Sequence, residues 1–190
     1  MKKVIAINGS PRKRGNTVKL INAALEGAES KGVETELIHL IDIKYQGCVS
    51  CFACKRKETS YIGSCALQDE LTPVLEKAME ADALVFGSPI YIGDVTGMMR
   101  SFIERFAFMN TSYSNKKHWH VTNKKNGAFI YTMNVTKPQS KIYSYIYLMN
   151  TGVLKKFGGY TAELLSYDTY QFSDYTKYDA LYFDEAKKEK

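Results

Sequence analysis

Apolar residues fall along this chain in short bursts whose period switches between strand-like and helix-like. Val4 to Ile7 is an apolar, β-rich run closed by Asn8 and Gly9, as a strand covered on both faces requires. Beyond a polar stretch, Val18, Ile21, Leu25 and Ala28 recur at helical spacing, and Asn16 is placed to cap that helix. Gly32 turns the chain into a second strand, Val33 to Leu40, and a long connection over 42–67 follows. Leu71, Val74, Leu75, Ala78 and Met79 stripe the next helix, with Asp69 and Glu70 near its positive end. Ala83 to Phe86 predicts a third strand ended by Gly87, and Ser88 to Val95 reads as a loop. Thr96 is placed to cap a helix running to Met109, with Met99, Phe102, Ile103 and Phe106 on one side.

The second half is patterned more weakly. Residues 110–126 are polar and loop-like, and Trp119 stands between His118 and His120, which read as loop surface or as cover for a nearby site. Ala128 to Met133 predicts a fourth strand, followed by a loop containing Pro138. Ile142, Tyr145, Ile146, Met149 and Val153 mark a helix ending at Gly158-Gly159. Tyr160 to Tyr167 predicts a fifth strand, and the tyrosine-rich tail a short last helix. Strands alternating with helices predict a single α/β domain over 1–190: a parallel sheet covered on both faces, with 42–67 as an insertion. Such sheets bind ligands at the carboxyl ends of their strands. The loops 8–17, 87–95 and 132–139 leave those ends, and they are the connections richest in Gly, Ser, Asn and Pro.

The first of these loops has anion-binding chemistry. A strand that breaks into a loop and opens a helix presents unpaired N–H groups at the positive end of a dipole. Ser10 and Thr17 add hydroxyls, and Arg12 and Arg14 add charge. Five residues separate Gly9 from Gly15, and Asn16-Thr17 follows, so the Walker lysine is missing. The three spaced glycines of a dinucleotide fold are also missing. A hydroxyl-rich loop of this kind suits a single terminal phosphate. Two other phosphate folds are excluded: no cysteine stands six positions before an arginine, and no acidic residue follows the first strand.

Composition narrows the class. The net charge of +6 is dispersed over Lys55-Arg56-Lys57, Lys116-Lys117, Lys124-Lys125 and Lys187-Lys188, with no basic recognition helix, so no nucleic-acid partner is expected. The same charge favours anionic small substrates. Only four apolar residues lie between Lys2-Lys3 and Asn8, and no run reaches membrane-spanning length. A cytoplasmic protein without a membrane partner is expected. Tyrosines and other aromatics around 113–119 and 167–182 suit a homodimer or homotetramer.

All four cysteines, Cys48, Cys51, Cys54 and Cys65, bunch in the long connection, which points to a shared role. Disulfides are disfavoured in a cytosolic chain. Two residues between successive cysteines let three thiolates surround one centre, as in a 4Fe-4S site, with Cys65 closing it. Zinc, or reduced thiols without metal, are the other readings. Ten residues separate Cys54 from Cys65, and no proline follows Cys65.

Gly9-Ser10-Pro11-Arg12 through Gly15-Asn16-Thr17, Gly87-Ser88-Pro89-Ile90-Tyr91-Ile92-Gly93, and Met99-Arg100-Ser101-Phe102-Ile103-Glu104-Arg105 resemble the flavodoxin-like NAD(P)H-dependent FMN reductases over about residues 1–135. The cysteine run resembles the iron–sulfur flavoprotein branch of that family. The resemblance implies a three-layer flavodoxin-like sandwich with five parallel strands in the order 2-1-3-4-5. It implies that Ser10, Arg12, Asn16 and Thr17 hold the FMN phosphate. Pro89, Ile90, Tyr91, Ile92 and Gly93 would wrap the isoalloxazine through backbone amides, Gly93 allowing close approach, and Thr132 and Asn134 would give a third contact. The flavin carries the hydride chemistry, so no catalytic acid or base is expected. The implied activity takes hydride from NAD(P)H to FMN and reduces a quinone, a free flavin or another small acceptor. An iron–sulfur carrier of single electrons to a protein partner, and a non-enzymatic redox sensor, are the alternatives.

Overall fold

The computed structural model describes residues 2–114, 118–120 and 123–179. The basic pairs Lys116-Lys117 and Lys187-Lys188, and the aromatic stretch beyond Asp179, lie outside the described residues.

Strand β1 (Lys3–Asn8) leads through the polar loop to helix α1 (Asn16–Glu29), and β2 (Glu34–His39) follows. The long connection ends at α2 (Thr72–Glu80), then come β3 (Ala83–Tyr91), a two-residue strand β4 (Asp94–Val95) and α3 (Gly97–Asn110). Strand β5 (Lys125–Thr132), α4 (Ser144–Lys155) and β6 (Gly158–Ser166) complete the fold. The five long strands are parallel in the order β2-β1-β3-β5-β6, the doubly wound flavodoxin-like arrangement, and β4 pairs antiparallel with the end of β3. The pairings Asn8↔His39, Asn8↔Gly87, Pro89↔Thr132 and Thr132↔Ser166 bring the carboxyl ends to one edge.

Alternation within the strands builds two unequal cores. Ala6, Val85 and Ile130 face α1, where Ile21 and Leu25 cover them. Ile5, Ile7, Phe86, Phe129 and Tyr131 face the other way, against α2, α3 and α4. Phe86 anchors this larger core, edge-on to Phe102, Phe106 and Phe129 with ring centroids 5.2, 5.7 and 5.9 Å away. Gly87 allows close approach: a Cβ there would stand 2.6 Å from Ile21 Cδ1 and 2.9 Å from Ile21 Cγ1, so a side chain would force Ile21 of α1 out of its place on the sheet. Buried Lys125 sends Nζ to the carbonyls of Met79 and Ala81 and closes the negative end of α2.

Four expectations are corrected. The third strand does not stop at Gly87 but runs to Tyr91, because the β3–β4 pairing Ile90↔Val95 extends it through the expected loop. Gly15, not Asn16, is the cap residue of α1, since the Asn16 amide turns away to the Tyr170 carbonyl. Most of the apolar row expected on α4 faces outward: Ile142, in the 3-10 turn Gln139–Tyr143 before the helix, is 74% exposed, and on α4 itself Tyr145 is 65% exposed with Leu148 and Met149 beside it, whereas Val153 packs against the core. The inward side carries Tyr147 and Leu154, with Asn150 bonded to Asp94 and Thr151 to Tyr131. Trp119 is not a loop surface residue; it is buried edge-on to Phe157 at 5.4 Å and does not border the cavity described below. The tail forms a single 3-10 turn, Tyr175–Lys177, among the described residues.

Candidate cofactor site

The loop between β1 and α1 is held in shape by its own polar groups. Asn8 Oδ1 accepts the Ser10 N–H at 3.0 Å, and Ser10 Oγ accepts the Arg12 N–H at 3.1 Å. Gly9 N–H donates to the Gly87 carbonyl at 2.8 Å, which fastens the loop to β3. The first N–H groups of α1 have no intrahelical acceptor, and Gly15, Asn16 and Thr17 at this helix start border the cavity described below. Thr17 lies there, buried, its hydroxyl 2.8 Å from that of Thr132 at the end of β5. Thr96 caps α3 through the Met99 N–H at 3.2 Å and also donates its hydroxyl to the Gly9 carbonyl at 2.6 Å. Sequence reasoning found the cap but not this second bond, which joins α3 to the loop.

The β3 extension supplies the second wall. Pro89, Ile90 and Tyr91 border the cavity, whereas Ile92 and Gly93 form the turn of the β3–β4 hairpin and do not. Both have positive φ, 48° and 88°, as a tight hairpin turn demands. Gly93 therefore serves conformation, since a Cβ there would meet nothing within 4 Å. Ile92 is β-branched in a left-handed conformation and its side chain is fully exposed, so the hairpin tip is strained.

These walls enclose one open cavity of about 1190 Å³. Ser10, Arg12, Asn16, Thr17, Pro89, Ile90, Tyr91, Thr132 and Asn134 all line it, so nine of the eleven expected contact residues share one space. The remaining wall was not foreseen. It is the segment Thr169–Tyr178, whose aromatic cluster includes Phe172 stacked on Tyr178 at 3.9 Å and edge-on to Tyr175 at 5.2 Å. Arg12 Nη1 donates to the Gln171 carbonyl, and Asn16 Nδ2 to the Tyr170 carbonyl at 2.8 Å. The only signal in the sequence was the density of aromatics after residue 167.

The cysteine connection runs along α3, away from this cavity. Tyr45 donates to the Met98 carbonyl at 2.6 Å near the start of the helix. Phe52 packs edge-on against Phe108 at 5.6 Å, and Lys55 donates to the carbonyls of Phe108, Met109 and Thr111 at the far end. Arg105, wholly buried, pairs with Asp69 at 2.5 Å and donates to the Leu67 carbonyl at 2.8 Å, closing the base of the connection. Cys48, Cys51, Cys54 and Cys65 line one small pocket between this connection and α3. Burial pushes the Cys54 thiol up, against the pull of Lys55. Four soft sulfur donors on one pocket are a set that fits a cluster or zinc. Among the described residues, however, no three metal-ligating side chains gather around a common point. The rise of α3 from Thr96 to Phe108, roughly 18 Å, separates this pocket from the loop end of the helix.

Comparison with known proteins agrees with this layout. Residues 2–139 match the family model described as NADPH-dependent FMN reductase. An iron–sulfur flavoprotein of Archaeoglobus fulgidus is 44% identical over 103 residues, 54% of this chain and 48% of that one. One of Methanocaldococcus jannaschii is 39% identical over 103 residues, covering 54% and 51%. The chain thus spans about half the length of these curated relatives. Among solved structures, an NAD(P)H:quinone oxidoreductase from Methanothermobacter marburgensis superposes with a TM-score of 0.66 over 92% of this chain and 88% of that one, at 14% identity, a likeness of fold. The β1–α1 loop, the β3 extension and the cysteine run thereby acquire one context: the chain belongs to the NADPH-dependent FMN reductase family, and over about half its length it is similar to proteins named iron–sulfur flavoproteins.

Proposed function

We propose that this protein is an FMN-binding oxidoreductase that takes reducing equivalents from NAD(P)H and passes them to a quinone, a free flavin or another small acceptor. The observation that carries this reading is the convergence of the β1–α1 loop, the β3 extension and the end of β5 on one cavity at the strands' carboxyl edge. FMN, when bound, supplies the hydride and electron chemistry. The chain's part is binding and orientation. The first turn of α1 and the Ser10 and Thr17 hydroxyls receive the phosphate, and Arg12 adds the charge a dianion needs. Backbone groups of Pro89 to Tyr91 flank the ring. Arg12 has five N–H donors, so it can hold a phosphate and the Gln171 carbonyl together. The tail segment and the phosphate thus share an anchor.

A second reading has its own support. Four cysteines on one pocket, in a chain similar to proteins named iron–sulfur flavoproteins, favour a 4Fe-4S centre held by Cys48, Cys51, Cys54 and Cys65, which would let the protein serve single-electron partners. The outward apolar row on α4 suits association of identical copies. Among the described residues no helix is long and apolar enough to cross a membrane.

Anaerobic purification, an absorption spectrum and an iron and sulfide assay separate these readings. Flavin bands that bleach on adding NADPH, without iron, support the reductase. Flavin with iron and sulfide in cluster ratio supports the electron carrier. A protein that neither carries nor takes up FMN contradicts both.

A further inference from the structure

Behind the loop, two neighbouring strands end side by side, with Asn8 of β1 opposite His39 of β2. Asn8 is completely buried and its amide is fully engaged. Oδ1 accepts the Ser10 N–H at 3.0 Å, while Nδ2 donates to the Ser10 carbonyl at 3.1 Å and meets His39 Nδ1 at 2.9 Å. The Ser10 N–H can only donate and its carbonyl can only accept, so these two bonds fix which end of the amide is which. Nδ2 is therefore a donor, His39 Nδ1 must accept, and the ring carries its proton on Nε2.

We propose that His39 is a positioning residue of the cofactor site: its unprotonated Nδ1 holds Asn8 in the orientation that shapes the Ser10 turn, and protonation of the ring releases that turn. The proposal rests on the reading of this loop as the FMN phosphate site. An imidazolium has two donors and no acceptor. On protonation, either the His39–Asn8 contact opens or the amide turns over. In the second case Nδ2 faces the Ser10 N–H, and two buried donors oppose each other. Ser10 Oγ also holds the Arg12 N–H, so the disturbance passes to the residue expected on the phosphate.

Two charged side chains act on the ring. Asp42 favours the imidazolium and Lys13 opposes it, and they pair with each other at 2.6 Å. Burial, with Lys13 acting in the same direction, outweighs Asp42 and holds His39 below the ordinary histidine range, so the ring is neutral at neutral pH and the contact is lost only on acidification. Because Lys13 belongs to the loop and Asp42 to the turn after β2, their ion pair is a second tie between the same two pieces of chain.

Three measurements test this. The chain has three histidines, so histidine-selective 15N spectra are simple to assign. At neutral pH, His39 is expected as the Nε2–H tautomer; the Nδ1–H tautomer overturns the proposal. Hydrogen exchange of the Ser10 amide, corrected for its intrinsic pH dependence, should accelerate as His39 titrates in the wild type. It should not do so in His39→Asn, whose Oδ1 stands where Nδ1 stood and does not titrate. His39→Gln serves if His39→Asn does not fold. In FMN titrations the phosphate itself takes a proton near pH 6, a contribution common to both proteins. Between pH 7.5 and 5, wild-type Kd should therefore rise about fivefold to tenfold more than that of His39→Asn, the effect of one hydrogen bond. Identical Ser10 exchange and Kd profiles in the two proteins overturn the proposal. If neither binds FMN at any pH, the cofactor reading fails, and the tautomer and Ser10 exchange still decide the role of His39.

Discussion

Arg105 and Ile92 show how single positions govern this structure, and at neither does the sequence carry a local signal of the role. Arg105 lies in a stretch that resembles a family motif, yet its partners, Asp69 and the Leu67 carbonyl, come from the far side of the cysteine connection. No local pattern encodes that bond. Removing one member of a buried ion pair leaves the other uncompensated, so Arg105→Met should destabilise the protein by about 3–5 kcal/mol, read as a lower urea midpoint. Arg105→Met combined with Asp69→Leu should recover part of the loss; a double variant no better than the single one would argue against the pair as the cause. Ile92 read as one of the flavin-contact residues, and its strain was invisible because φ depends on the hairpin that forms around it. Ile92→Asn relieves a left-handed β-branched residue and should stabilise by about 1 kcal/mol, seen as a higher Tm.

Among the elements, those with strong period and clear punctuation were legible. The helices α1, α2 and α3 and the cores of all five parallel strands lie where apolar spacing places them. The extension of β3 was not legible, because Gly87, Ser88 and Pro89 are residues that ordinarily end strands, and here pairing with β4 and β5 overrides them. Helix α4 was legible as a helix but not in its orientation: apolar periodicity marks a face, and the inward face is chosen by polar bonds to Asp94 and Tyr131. Leu148→Lys on the outward row should shift self-association, measured by light scattering, toward smaller species without lowering the Tm. The tail segment was missed because its contacts are backbone carbonyls, which carry no residue identity. FMN should slow proteolytic cleavage within 169–178; unchanged cleavage would separate this segment from the cofactor site.

For the whole molecule, the parallel sheet and three converging loops followed from alternation of elements and the strand order from the family resemblance, whereas the separation of cavity and cysteine pocket did not, since it depends on how a long connection lies along α3. Stability against pH is also a property of the assembled core. Burial raises the ionisation of Tyr45, Tyr131 and Tyr147, the last to about 12. Between the unfolded value near 10 and that range, the native protein keeps protons that the unfolded chain has lost, so stability falls as pH rises. Alkaline titration followed by tyrosinate absorbance should show late ionisation coincident with loss of helical circular dichroism; fully reversible early ionisation with the fold intact would contradict the burial of these rings. The most direct test of the cofactor site is a fluorescence titration of FMN with the wild-type protein and with Thr17→Ala and Arg12→Ala. Saturable one-to-one quenching, weakened about tenfold or more in each variant through loss of a charge-assisted phosphate bond of about 1.5–3 kcal/mol, is the predicted result. Absent quenching, or equal affinity in all three proteins, would contradict the assignment of this cavity to FMN.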